Sequence, residues 1–117
     1  MSLDEALPVL DILTVHASGE QCLIAENEIQ KMKTGVYLLN VARGGVISES
    51  ALVQGIRSGK IAGAWLDTFV NEPYTGELLD LPQVIMTPHV GSYTAECRAD
   101  MEMESVDNFL AAMGFGK

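Results

Sequence analysis

The chain has 117 residues, and 48% of them are hydrophobic, which is enough apolar material for one compact domain of ordinary size but not for two. Seven Lys and Arg stand against 16 Asp and Glu, giving a formal net charge of −9. Because nucleic acids and anionic membranes are bound by a positive stripe, and the few cations here are scattered, the composition argues against both as partners. We expect a small-molecule ligand or a protein partner.

The two cysteines and the first residues of the chain indicate which kinds of site and location to expect. Cys22 and Cys97 lie far apart, without the Cys and His spacings of a zinc site or of a disulfide framework, so we expect no metal and a reducing, cytoplasmic location. No apolar run reaches the roughly 18 residues of a membrane span, and the first residues lack the basic and apolar regions of a signal peptide.

The first half of the chain reads as strand, helix, strand. Residues 10–15 form an apolar, β-branched run that ends at His16, and residues 27–33 carry apolar side chains at helical spacing. Residues 36–41 are almost continuously apolar, which is typical of a strand buried on both faces of a parallel sheet.

The second half repeats the alternation. A helix is expected over residues 48–57, with Ser48 as its N-cap, followed by a strand over 61–69 and a loop over 71–82. A short strand over 84–86 and a long amphipathic helix over 94–113 complete the chain. The alternation predicts an α/β fold with a parallel sheet of about four strands, flanking helices and a long C-terminal helix. The methionines of the last two elements, among them Met101 and Met103, are interpreted as core filler.

Ionisable side chains lie at or just after the ends of three of the predicted strands. They are Arg43, then Asp67 with Glu72, and finally His89. In an open α/β sheet, ligands bind beyond the carboxyl ends of the strands, so these side chains are candidates for one site. Each also has a simpler interpretation: a solvated arginine, a carboxylate that caps a turn, a loop glutamate and a turn histidine bonded to nearby backbone.

Four ordered segments carry a family resemblance: Asn-Val-Ala-Arg-Gly-Gly at 40–45, Gly-Ala-Trp-Leu-Asp-Thr-Phe at 63–69, Glu-Pro at 72–73 and Thr-Pro-His-Val-Gly at 87–91. Together they resemble the second half of the nucleotide-binding domain of D-isomer-specific 2-hydroxyacid dehydrogenases, in particular phosphoglycerate dehydrogenase-like members. The resemblance implies a partial Rossmann-like fold. No G-x-G-x-x-G motif occurs, so residues 1–117 are interpreted as an incomplete domain that lacks the glycine-rich half and the substrate domain.

The resemblance also implies a chemistry and its residues. It predicts hydride transfer between NAD, with NADP left open, and a small D-2-hydroxy acid, with 3-phosphoglycerate as one candidate. By resemblance His89 is the proton donor, Glu72 favours and orients its protonated ring, and Arg43 holds the substrate carboxylate.

Four residues are assigned to the cofactor by the same match. Asp67 is expected to contact the nicotinamide carboxamide, and His16, Ala42 and Gly91 are expected to lie beside the cofactor. The isolated chain is expected to be inactive, because a glycine-rich turn that would hold the pyrophosphate is absent. A homo-oligomer is expected, since a truncated sheet would expose an edge and apolar surface. The alternative function is a dinucleotide-sensing corepressor-like binding protein without turnover.

Overall fold

A computed structural model describes residues 1–19 and 21–115 of the chain. Helices and strands alternate through most of its length, as the sequence predicts. In chain order the elements are α1 (Leu3–Ala6), β1 (Ile12–Val15), α2 (Glu26–Lys31), β2 (Val36–Asn40), α3 (Glu49–Arg57), β3 (Ile61–Leu66), a 3₁₀ helix (Glu77–Asp80), β4 (Val84–Met86) and α4 (Ala95–Ala112). The region predicted as one loop over 71–82 therefore contains a turn of 3₁₀ helix, and β3 ends three residues earlier than expected.

The four strands form one parallel sheet in the order β1-β2-β3-β4. Asn40 at the end of β2 pairs with Leu66 at the end of β3, and Leu66 pairs with Met86 at the end of β4. The segments that follow these three strands therefore emerge side by side at one edge of the sheet. This confirms the predicted fold class, an α/β unit built on four parallel strands.

Helix α3 shows how the local sequence sets the packing. The Ser48 side chain accepts a hydrogen bond from the Ala51 amide, the N-cap predicted for it. On the buried side of the helix, Gly55 allows a close approach to β3, because a Cβ there would meet the Ile61 side chain. Helix α3 thus packs against β3, with α2 beside it, and their apolar residues form the core with one face of the sheet.

The other face of the sheet is open, so the prediction that β2 is buried on both faces is wrong. Tyr37 in β2 is 51% exposed, and Ile12, Trp65 and Ile85 lie exposed on the neighbouring strands. The apolar run of β2 signals two apolar faces, but among the described residues helices cover only one of them. The result is a row of apolar side chains across all four strands.

Helix α4 has the predicted length but not the predicted burial. Thr94 caps its first turn by accepting a hydrogen bond from Cys97, yet no residue of the helix is buried. Met101 and Met103 are exposed, so their interpretation as core filler is wrong for the part of the chain described here. None of the described helices is long and apolar enough to cross a membrane.

Candidate functional site

The His89 and Glu72 side chains form a hydrogen-bonded pair at the carboxyl edge of the sheet. His89 Nδ1 lies 3.1 Å from Glu72 Oε2, and the other carboxylate oxygen, Oε1, accepts a hydrogen bond of 3.0 Å from the Phe69 amide. The Phe69 amide first, and His89 second, hold the pKa of Glu72 below its ordinary value despite partial burial. A carboxylate only accepts, so Nδ1 carries the proton of the pair and Nε2 remains the ring atom available to a ligand.

Asp67 is buried beside this pair and holds the segment that carries His89. Its Oδ1 accepts hydrogen bonds from the Thr87 hydroxyl and from the Val90 amide at 2.9 Å, and its Oδ2 accepts from the Gly91 amide at 2.9 Å. Burial alone would raise the pKa of this carboxyl, but the three hydrogen bonds outweigh burial and hold it below the ordinary value. The described geometry is that of a carboxylate capping a turn, the simpler of its two interpretations; contact with the nicotinamide stays a prediction.

The turn that follows β2 presents Arg43 at the same edge. Asn40 shapes this turn, because its side-chain amide donates to the Arg43 carbonyl at 3.0 Å and its side-chain oxygen accepts from the Ala42 amide at 3.0 Å. The Arg43 side chain is exposed and donates to the Ala42 carbonyl at 2.8 Å. Within the described residues it forms no ion pair, which leaves most of its guanidinium available to an anionic ligand.

A hollow of about 270 Å³ joins Arg43 and Ala42 to the segment after β1. His16, Ser18 and Gly19 line its other side, and the His16 ring is fixed by a 2.9 Å hydrogen bond between its Nε2 and the Thr14 hydroxyl. The structure therefore brings two of the expected cofactor residues, His16 and Ala42, into one concave surface with Arg43.

Two contacts connect this turn to the loop that carries Glu72. Gly44 lies so close to the Phe69 carbonyl that any Cβ would collide with it, and the Glu49 carboxylate accepts a 2.9 Å hydrogen bond from the Val70 amide. The turn after β2 and the loop after β3 are therefore packed backbone against backbone. The arginine and the His89–Glu72 pair belong to one continuous edge of the molecule.

An apolar cavity of about 520 Å³ lies beside the His89–Glu72 pair. Its walls include the Phe69 and Tyr74 rings, whose centroids are 4.8 Å apart. An apolar surface beside a hydrogen-bonded pair limits its contact with water on that side and strengthens the hydrogen bond.

The described residues fit one end of a dinucleotide. The hollow at Arg43 is concave and is lined by small residues together with His16 and Arg43, which suits a flat ring with a polar carboxamide. The described residues contain no group of three or more His, Cys, Asp or Glu side chains that could hold a metal ion.

Sequence reasoning missed three residues that shape the site: Asn40, Glu49 and Thr87. Asn40 could have been noticed, since it is a polar residue that ends an otherwise apolar strand. The partners of Glu49 and Thr87 lie about 20 residues away along the chain, and no local pattern signals such pairs.

The chain is similar to known proteins of one family. Residues 1–91 match the family described as D-isomer specific 2-hydroxyacid dehydrogenase, NAD binding domain. The whole chain is 39% identical to 37% of the 4-methyl-2-oxopentanoate reductase A of Aspergillus oryzae. It is also 39% identical, over 93% of its length, to 22% of the D-3-phosphoglycerate dehydrogenase of Bacillus subtilis.

A solved structure shows the same likeness in three dimensions. A glyoxylate reductase from Paecilomyes thermophila superposes with a TM-score of 0.90 at 37% identity, covering 96% of this chain and 35% of that protein. The chain thus spans little more than a third of the length of these relatives, or less. The matched residues include the segments that carry Arg43, Asp67, Glu72 and His89. The chain belongs to the D-isomer specific 2-hydroxyacid dehydrogenases, an NAD-binding oxidoreductase family, and corresponds to sequence in their NAD-binding domain.

Proposed function

We propose that this chain supplies the proton donor and the nicotinamide-side edge of an NAD-dependent enzyme that interconverts a small 2-oxo acid and its D-2-hydroxy acid. The observation that carries the proposal is the His89–Glu72 pair, with 3.1 Å between Nδ1 and Oε2, at the sheet edge that also presents Arg43. A proton donor and a cation for a carboxylate are the two groups that this reaction requires of a protein.

Each residue of the proposed set has one task. When bound, NADH supplies the hydride to C2 of the 2-oxo acid. His89 gives the proton on Nε2 to the substrate oxygen as that oxygen gains negative charge, and Glu72 keeps the ring oriented and favours its charged form. Arg43 binds the substrate carboxylate with its planar, permanently charged fork.

The side chain of the substrate is a separate part of the proposal. By their names, the relatives described above act on 4-methyl-2-oxopentanoate, on D-3-phosphoglycerate and on glyoxylate. Each of these compounds is a 2-oxo acid or a 2-hydroxy acid, and they differ in the group attached to C2. The apolar cavity beside His89 favours a substrate with an apolar side chain over the charged 3-phosphoglycerate. The names of these relatives do not favour the corepressor alternative.

The test measures NADH oxidation with glyoxylate, 4-methyl-2-oxopentanoate and 3-phosphohydroxypyruvate, for the chain alone and for the complete product of its gene. The glycine-rich pyrophosphate motif is not among these 117 residues, so we expect turnover by the complete product and not by the chain alone. Homo-oligomer formation and a cytoplasmic location stay predictions.

Two substitutions decide the roles. His89→Gln is expected to lower kcat by about a hundredfold or more, and Arg43→Ala to raise KM for the 2-oxo acid by about tenfold or more. Arg57→Ala is the control for lost charge, because Arg57 at the end of α3 pairs with Glu77 of the 3₁₀ helix, away from the carboxyl ends of the strands. Full activity of His89→Gln, or partner binding without turnover by the complete product, would contradict the proposal.

A further inference from the structure

A chain of hydrogen bonds crosses the sheet from its open face to the segment that carries His89. The Trp65 indole Nε1 donates to the Thr87 hydroxyl at 3.2 Å, and that hydroxyl donates to Asp67 Oδ1. The Asp67 carboxylate in turn accepts from the Val90 and Gly91 amides. Three side chains on two strand ends are thereby linked into one relay.

The relay includes residues on both sides of His89 in the sequence. Thr87 precedes it and Val90 follows it, and Asp67 is bonded to both. His89 itself has a φ of 56°, a left-handed conformation that is uncommon for a residue with a Cβ and persists only where surrounding contacts hold it. Its own amide donates to the Thr87 carbonyl at 3.0 Å. The conformation of His89 therefore depends on where Thr87 and Asp67 hold its neighbours.

The Trp65 indole determines how the Thr87 hydroxyl is used. A hydroxyl has one proton and two lone pairs, and its proton rotates to suit the surrounding groups. With the indole N–H donating to the oxygen, the hydroxyl proton is left for the carboxylate. Trp65 lies on the open face, 37% exposed, so its N–H is otherwise within reach of solvent.

We propose that Thr87 is a positioning residue for His89, that it acts through Asp67, and that Trp65 fixes the donating orientation of the Thr87 hydroxyl. The proposal rests on the proposed function only in that His89 is the proton donor. The relay itself is tested in this chain without substrate or cofactor.

The chain contains one tryptophan, so an isotope-labelled sample gives one indole N–H resonance in a nuclear magnetic resonance spectrum. In the wild-type chain we expect this resonance to shift in acid, as the Asp67 carboxyl titrates below its ordinary pKa and changes the charge at the other end of the Thr87 hydroxyl. Thr87→Val removes the hydroxyl at nearly constant shape and should abolish that shift. Exchange of the indole hydrogen with solvent should become roughly threefold to tenfold faster.

Two further variants separate the relay from a general loss of structure. Thr87→Ser keeps the hydroxyl and should restore the acid shift, whereas Thr75→Val makes the same chemical change at an exposed position in the loop after β3 and should leave the resonance unchanged. If Thr87→Val does not fold, Trp65→Phe tests the relay from its other end through faster exchange of the Val90 and Gly91 amides.

In the complete gene product, Thr87→Val should lower kcat several-fold with KM for the 2-oxo acid little changed, and Thr87→Ser should recover it. An indole resonance that behaves alike in wild type and Thr87→Val, or equal effects of Thr87→Val and Thr75→Val, would overturn the relay. If the complete product shows no turnover, the proposed function fails, while the spectroscopic comparison still decides the relay.

Discussion

Replacing Asp67 by Asn should destabilise the folded chain by about 2–4 kcal/mol, because it removes a buried charged acceptor from three protein donors. Asp67 is 2% exposed, so solvent cannot replace the lost contacts. An asparagine oxygen can still accept from Thr87 and Val90, but its amide nitrogen then faces the Gly91 amide, donor against donor. The free energy of unfolding in urea at neutral pH measures the loss.

The stabilisation that Asp67 contributes depends on pH. The pKa of Asp67 lies below its ordinary value in the folded chain, so between the folded and unfolded pKa values the unfolded state binds more protons. The stabilisation is therefore complete above the unfolded pKa of about 3.9 and is lost as the pH falls through the folded pKa. The difference between wild type and Asp67→Asn should shrink as the pH falls below about 4.

Asp100→Asn on exposed helix α4 is the matched control, since it makes the same change of charge without a described hydrogen bond to lose. It should change the free energy of unfolding by less than about 0.5 kcal/mol. Equal effects of the two substitutions, or an Asp67→Asn difference that does not depend on pH, would refute the argument that hydrogen bonds to the carboxylate hold this segment.

Three further predictions concern packing. Gly44→Ala should destabilise the chain by about 1–3 kcal/mol in urea unfolding, because its Cβ would collide with the Phe69 carbonyl; wild-type stability would show that the loops can separate freely. Thr68→Val should be neutral or stabilising by up to about 1 kcal/mol in the same assay, since the buried hydroxyl has no hydrogen-bond partner among the described residues. The sedimentation mass of the chain should rise with concentration and fall back on Tyr37→Lys with Ile85→Lys, because these side chains lie on the open apolar face; a monomer at all concentrations would contradict self-association.

The elements that the sequence predicts well are those whose signals are local. Ser48 at the N-cap and apolar residues on one side predict helix α3, and a run of apolar residues predicts β2. Both are observed within one residue of their predicted bounds. Strand alternation then leaves a parallel sheet as the natural arrangement, and the positions of the ionisable residues at its edge follow.

Burial could not be predicted in the same way, because it depends on what packs against an element. The apolar residues of β2 and α4 indicate surfaces that favour burial, but Tyr37 and Met103 are exposed in the described chain. The sequence pattern reports the chemistry of a face and contains no information on which segment covers it. Turn capping by Asp67 was one of its two interpretations, but its partners could not be predicted, since they depend on the register between β3 and β4.

The candidate site combines a half that is already bonded with a half that is open. Asp67, Glu72 and His89 are tied to one another's segments by hydrogen bonds of 2.9 to 3.1 Å or shorter, so His89, the proposed proton donor, is held in place before any ligand arrives. Arg43, by contrast, is exposed and bonded only to the neighbouring backbone among the described residues. A proton donor held in place needs no reorganisation as charge develops on the substrate oxygen, whereas an exposed guanidinium can turn toward a carboxylate as it enters. Substitutions in the bonded half should therefore alter kcat more than KM, and substitutions of Arg43 should alter KM first.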